Sequence, residues 1–387
     1  MRHILLTSVF SLVTLTLLGQ GLKASLTQNL DELSERNVLP GFAVSVISPD
    51  SVLYTQAFGF SDISSQKPFT EKTILNIGSV SKTFVGLALM KAVSEGKLSL
   101  DSDINDFLPF KVQNPFYPDQ PIKVIHLVTH TSGITDREEV YKQTYTKELD
   151  VDAYKAFLQE YLSRTGANYS EKNFLRYKPG EWQEYSNIGS ALVALVVEGA
   201  TKVPFSEYTR RHITAPLGLS STGWFFRDIP MNNHAVLYSA AQKPIPLYSL
   251  LTYPDGGLKS NLHDLNKYLQ EIMKGRAGRG EVLGDSSYNM LLAPQFGNNL
   301  NPRNINPKEP NIGVFWVHKR NGEIGHTGGD PGITTFVFFN PETATGRVFI
   351  TNTLLEEEEQ IEVFASIWRL LKAYEEKLLL PTKAKAH

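Results

Sequence analysis

The chain contains no cysteine, which excludes disulfides and a lipid anchor attached through cysteine. An excess of charge of either sign is also absent. Lys and Arg number 38 against 40 Asp and Glu, and the formal net charge is −2. Such a chain carries no electrostatic footprint for nucleic acid, so no nucleic-acid partner is expected. Internal repeats and low-complexity blocks are missing. The longest apolar run, Ile4 to Leu18, falls slightly short of the ~20 residues that a bilayer span requires. What remains is ordinary for a globular protein: 387 residues, 41% hydrophobic and 20% charged. That length suits two domains or one large composite unit, with a sizeable core.

The first 24 residues differ from the rest. Arg2 and His3 precede the apolar run, and Gly19, Gly21 and Ala24 follow it. A basic start, an apolar centre and small residues at the end form the pattern of a secretory signal peptide. Residues 1–24 are therefore expected to be removed, with cleavage after Gly21 or Ala24, leaving no stable membrane insertion. The mature chain, 25–387, is expected outside the cytoplasm, in a periplasm or the extracellular space. Without cysteines it must be held by its core alone.

Strand-like segments collect at the two ends. Phe42 to Ile47 and Val52 to Phe60, joined by Ser48-Pro49-Asp50-Ser51, predict a β-hairpin. Near the other end, Ile312 to Val317, Glu323 to His326, Thr334 to Phe339 and Arg347 to Thr351 carry the strand period. A helix from about Ser25 to Asn37 opens the mature chain. Another, Glu356 to Lys377, closes it, with Ile361, Phe364, Ile367, Trp368 and Leu371 on one face. Between the ends the pattern is helical: Ile188 to Ala200, Phe205 to Ile213 and Asn261 to Lys274. Thr135 to Leu175 is polar and helix-prone, and reads as a lid or an added helical segment. The predicted class is α+β: one antiparallel sheet from both chain ends, flanked by helices, with an inserted, mainly helical lobe. The sheet lobe takes about 25–80 and 312–378, the helical lobe about 81–311. A site is expected in the cleft between them.

Three short stretches carry the chemistry. In Thr73 to Gly96, a β-type run stops at Gly78 and a helix begins, with Ser79 at the junction and Lys82 three residues on. Positions i and i+3 of a helix point the same way, so hydroxyl and amine meet at a helix N-terminus. That spacing alone is weak, because Ser64–Lys67 and Ser94–Lys97 share it. Tyr185-Ser186-Asn187 is the only Tyr-x-Asn in the chain, and His326-Thr327-Gly328 ends a predicted strand. His126 and His130 have the i, i+4 spacing of a zinc-protease helix. Leu127 stands where that motif needs glutamate, so a packed, hydrogen-bonded pair is expected, with no metal and no cofactor.

With the three stretches in this order, the chain resembles the serine β-lactamases and penicillin-binding proteins. It is most similar to class C β-lactamases, serine DD-peptidases and their esterase relatives. His126 to Ile134, Pro216 to Leu219 and Asp255 to Ser260 fit as well, and the resemblance covers essentially all of the chain after the signal peptide. It implies a serine hydrolase that forms an acyl-enzyme on a small-molecule or peptide substrate. Ser79 is the implied nucleophile and Lys82 its base, a role open to an amine in a buried, positively charged setting. Tyr185 shares the proton and passes it to the leaving group, while Asn187 holds Lys82 and the substrate amide. The implied oxyanion donors are the N–H groups of Ser79 and Gly329. His326, Thr327 and Gly328 border the substrate.

One position departs from the pattern. Class C enzymes mostly have Lys-Thr-Gly where this chain has His326-Thr327-Gly328, and histidine there resembles certain DD-peptidases and esterase-like members. His326 is expected to set substrate preference and pH response, since an imidazole titrates near pH ~6.5. No Gly-x-Ser-x-Gly elbow supports an α/β-hydrolase. The competing readings are a carboxylesterase of the same fold and a non-catalytic binding module.

Overall fold

The computed structural model describes residues 20–147, 151–297 and 300–383. Residues 1–19 of the expected signal peptide lie outside these. Residues 20–24 begin the first helix, which runs through residues 20–35.

Eight strands form the main sheet: β1 (Gly41–Ser48), β2 (Ser51–Asp62), β3 (Lys67–Pro68), β4 (Asn311–Ile312), β5 (Val317–His318), β6 (Ile324–Asp330), β7 (Ile333–Asn340) and β8 (Thr345–Thr351). Their order is β4-β5-β6-β7-β8-β1-β2-β3, every pair antiparallel. The two chain ends thus meet at β8 and β1, with Val44 opposite Phe349. The α+β class and the sheet built from both ends are what the alternating patterns predicted.

β1 is buried on both faces. Phe42, Val44 and Val46 pack with Leu26, Leu30, Val363, Ile367 and Leu371, under the first helix and the closing helix, Glu358–Lys383. Ala43 and Ile47 join the larger core on the other face, where the Leu262–Arg276 helix lies. The Ser81–Ser94 helix enters that core with Lys82, Phe84, Leu87, Ala88 and Met90 all buried. A helix apolar on every side belongs inside a protein. Phe84 stacks on Tyr268 with ring centroids 3.7 Å apart, which adds ~1 kcal/mol to area burial. The helices Val151–Leu162, Asn187–Thr201 and Phe205–Thr209 follow in the chain between β3 and β4. No single helix among the described residues is long and apolar enough to cross a membrane.

Three local expectations differ from the structure. Ile312 to Val317 is two short strands, because Phe315 takes a left-handed backbone, φ +60°, that no strand accommodates. Ile361 is 49% exposed and does not share the buried face of the closing helix, which Val363 takes instead. The helix at Phe205 stops at Thr209 and widens into a π-type turn over Arg210–Thr214.

Candidate active site

Ser79 sits in a single 3₁₀ turn, Gly78–Val80, that leads directly into the Ser81–Ser94 helix. Gly78 has φ +53°, a conformation that glycine adopts without cost. The turn leans against β6. A side chain on Gly328 would collide with the Ile77 carbonyl oxygen, so only glycine lets the strand come this close. One helical turn after Ser79, the Lys82 side chain is buried and its Nζ lies 3.1 Å from Ser79 Oγ. The same nitrogen donates to Asn187 Oδ1 at 2.7 Å and to the Asp255 carbonyl oxygen at 2.6 Å. Both of those oxygens can only accept, so they take two of the amine's hydrogens. The third position faces the serine.

Asn187 is fixed because it opens a helix, Asn187–Thr201, with Ser186 as its N-cap bonded to the Gly189 N–H at 2.9 Å. Asp136 reinforces that start. Its carboxylate accepts from Ser186 Oγ (2.7 Å) and from the N–H groups of Asn187 (2.6 Å) and Ile188 (3.1 Å). Burial raises the Asp136 pKa, and these hydrogen bonds pull against that rise.

Tyr185 is half exposed, its ring centroid 4.9 Å from Lys82 Nζ. His130 holds it from behind. The His130 ring packs on the Tyr185 ring at 4.4 Å, the His130 carbonyl accepts from the Glu184 N–H at 2.8 Å, and Nδ1 accepts from the Ser186 N–H at 3.3 Å. His130 adopts φ +56°, and burial keeps its imidazole neutral by pushing the pKa well below 6.5. His126 has a separate role: its Nδ1 accepts from the Lys123 N–H at the start of a short helix. The two histidines therefore cap and pack, each with its own partner.

His326 lies on β6 opposite Val337, 4% exposed. Its Nδ1–H donates to the Thr327 carbonyl at 2.6 Å, which leaves Nε2 as the bare acceptor, and that atom has no partner. Burial first, then the charge of Lys82, lowers its pKa to about 4. This corrects the expected titration near 6.5: the ring is neutral across the ordinary working range. Beyond it, Thr327 and Gly329 follow on β6. Counting back from the two-residue Pro331-Gly332 turn, Gly329 and Thr334 form a pair without mutual hydrogen bonds, so the Gly329 N–H turns away from β7.

Ser79, His130, Tyr185, His326, Thr327 and Gly329 line one cleft of about 490 Å³, with Glu184, Asn304, Asn306, Glu309 and Asn311 on its walls. A second hollow of similar size, around Trp224 and Arg210, holds none of the three motifs.

Sequence reasoning missed the other side of the site. Tyr141 donates to Asp255 Oδ1 at 3.0 Å, and Tyr145 donates to Asp330 Oδ1. Burial raises the Asp255 pKa to about 7 and that of Asp330 to about 6. Both tyrosines come from the segment read only as a lid or helical addition. It is pinned there by pairing of Tyr145–Thr146 with Ser249–Leu250. Asp255 ends a short 3₁₀ turn, Tyr253–Asp255, and Asp330 ends β6. Nothing in the local spacing marks Asp136 or Asp330 as neighbours of Lys82.

Comparison with known proteins bears on the family and the fold. A β-lactamase from Yersinia enterocolitica is 24% identical over 89% of this chain and 90% of its own length. Protein flp of Staphylococcus aureus strain N315 is 22% identical over 84% of this chain, which spans 63% of that longer protein. The structure of the octameric penicillin-binding protein homologue from Pyrococcus abyssi superimposes with a TM-score of 0.67 at 26% identity, covering 90% of this chain and 77% of that one. The β-lactamase family model matches residues 26–372, a span that includes the serine turn, the Tyr185 corner and β6, and the chain accordingly belongs to the β-lactamase family of serine hydrolases and penicillin-binding proteins.

Proposed function

We propose that this protein is a serine hydrolase that cleaves a peptide, amide or ester through an acyl-enzyme on Ser79. The observation that carries the reading is the environment of Lys82 Nζ. Two carbonyl oxygens take two of its hydrogens, and its remaining position meets Ser79 Oγ at 3.1 Å. The amine thereby has one direction in which to exchange a proton, and that direction is the nucleophile.

In the proposed reaction Lys82 takes the hydroxyl proton as Ser79 Oγ attacks the substrate carbonyl. The Ser79 and Gly329 N–H groups receive the oxyanion. Tyr185, beside Lys82, delivers the proton to the leaving group, and water then attacks the acyl-enzyme by the reverse proton path. Asn187 keeps Lys82 aligned throughout. DD-peptidase, penicillin-binding and β-lactamase activities all fit this chemistry. A carboxylesterase is the second reading, favoured by the buried, neutral His326 where many relatives carry a fixed ammonium. Export to a periplasm or the medium belongs to the same proposal and rests on the composition of residues 1–24. N-terminal sequencing of the mature protein should then begin near Leu22 or Ser25.

A fluorophosphonate or a penicillin should label the protein covalently, with the adduct on the peptide that contains Ser79. Label on Ser186 or Ser260 would overturn the assignment, and no label at all would favour a binding module. Hydrolysis of a D-Ala-D-Ala peptide, an acyl ester and a chromogenic cephalosporin, assayed together, separates the activities.

A further inference from the structure

We propose that the segment 138–146 is an internal brace whose two tyrosines position both halves of the site. Tyr141, through Asp255, sets the carbonyl that holds Lys82, and Tyr145, through Asp330, sets the Gly329 N–H. The proposal rests on the hydrolase reading and adds four positioning residues to it.

The two backbone groups in question sit beside glycines. The carbonyl that accepts from Lys82 at 2.6 Å belongs to the Asp255–Gly256 peptide, and Gly257 follows. The Gly329 N–H belongs to the Gly328–Gly329 peptide, and Gly329 and Thr334 exchange no hydrogen bonds across the β6–β7 pair. Glycine leaves such peptide planes free to turn, so their aim must be fixed from outside. The side chain that adjoins each plane is an aspartate: Asp255 itself in the first, and Asp330, next to Gly329, in the second.

One segment anchors both aspartates. Tyr141 ends the short helix Glu138–Tyr141 and donates to Asp255 Oδ1 at 3.0 Å. Tyr145 opens the strand Tyr145–Thr146 and donates to Asp330 Oδ1. The two phenol rings meet edge to face at 6.4 Å. The segment is itself fixed. Its strand pairs with Ser249–Leu250, the Leu251 N–H donates to the Thr144 carbonyl at 2.7 Å, and Tyr248 donates to the Pro331 carbonyl at 2.9 Å. Both carboxyls feel the charge of Lys82, and Oδ2 of each is buried without a hydrogen-bond partner. A buried carboxyl with an oxygen left unpaired is costly, and packing alone does not require one. The tyrosine bond at Oδ1 is what fixes its direction.

Tyr141→Phe and Tyr145→Phe keep the rings and remove one hydroxyl each. Each should lower kcat on an acyl ester by about tenfold while KM stays within about threefold, because misplaced groups are felt at the chemical step. The two should part on the matching thionoester, whose sulfur uses the oxyanion donors poorly. Tyr145→Phe should shrink the ester-to-thionoester rate ratio by about fivefold, and Tyr141→Phe should leave it unchanged. Asp255→Asn still accepts from Tyr141 and should keep kcat within about threefold of wild type. Asp255→Ala should lose at least as much as Tyr141→Phe, and combining the two should add little, since they break one connection. Unchanged kcat in both tyrosine variants, or equal losses on both esters for Tyr145→Phe, overturns the brace. A second arm needs no turnover: ¹³Cε-lysine and ¹⁵N-glycine labels report Lys82 and Gly329 by NMR. The Lys82 signal should move about threefold further in Tyr141→Phe than in Tyr145→Phe, and the Gly329 amide signal the reverse. Such crossed shifts in a protein that hydrolyses neither ester uphold the brace and sink only the hydrolase reading. Both signals unmoved in a protein that hydrolyses the esters sink the brace alone.

Discussion

An imidazole in water titrates near pH ~6.5, but His326 is held at about 4 because burial strips water from its cation and Lys82 repels it. Between pH 5 and 8 it therefore adds no inflection to kcat/KM, and His326→Gln should leave the shape of the profile on a neutral ester unchanged. An inflection near 6.5 that this substitution removes would show that the ring ionises in the working range. His130 makes a different kind of prediction, because its ring and its Nδ1 hold Tyr185 separately. His130→Phe keeps a ring against Tyr185 but loses the acceptor for the Ser186 N–H. His130→Asn keeps an acceptor and tolerates the left-handed backbone, but loses the ring. Each should lower kcat by about tenfold with a smaller change in KM, since a displaced proton donor is felt at the chemical step. Unchanged kcat in both variants would reduce His130 to packing.

Among the elements, the start of the Asn187–Thr201 helix couples folding to chemistry. Asp136 accepts three hydrogen bonds there, and Asn187 at that start holds Lys82. Asp136→Ala removes a cap at a buried helix end, so a loss of about 2 kcal/mol in urea unfolding is expected, together with reduced kcat. Asp136→Asn, which still offers one oxygen, should recover part of both. Stability lost without any change in kcat would uncouple the cap from the site. Such elements also show what a single sequence discloses. The β1–β2 hairpin was legible because Pro49-Asp50 separates two runs of strand period, and the serine turn because a β-type run stops at Gly78. Asp136 was not legible. It meets Ser186 from 50 residues away, and only tertiary packing creates the contact. Phe315 was misread because hydrophobic period reports burial, which this residue has, and not the left-handed φ that interrupts its strand. Asp255 and Asp330 find tyrosine partners in a polar segment whose side chains gave no sign of facing inward.

At the scale of the whole molecule, a second buried lysine joins the regions around the site. Lys259 is 1% exposed, and its Nζ donates to the carbonyls of Trp224 (3.0 Å) and Gly257 (2.9 Å). Its two-residue strand pairs with Leu75–Asn76, just before the serine turn, and Gly257 adjoins the turn whose Asp255 carbonyl holds Lys82. The lysine thus ties the 223–226 segment to both flanks of the site without entering it. Among the described residues no carboxylate bonds to it: burial lowers its pKa from 10.5 to about 7, against the attraction of Asp228 for its charge. Between pH 7 and 10.5 the unfolded chain therefore holds a proton that the folded protein has shed. Stability from this group must rise with pH across that window, whereas below pH 7 both states are protonated and the penalty of burying the charge is fully present. Lys259→Met removes the titration. It also leaves two carbonyls unpaired, so its absolute stability is expected to be lower and only the pH dependence is diagnostic. Urea unfolding free energies from pH 7 to 9 should increase more steeply for the wild type than for Lys259→Met. The excess slope should approach one proton per molecule, about 1.4 kcal/mol per pH unit, in the middle of the window. Equal slopes would mean that Lys259 stays charged inside the fold, and that its two carbonyl partners stabilise the ammonium against the loss of water.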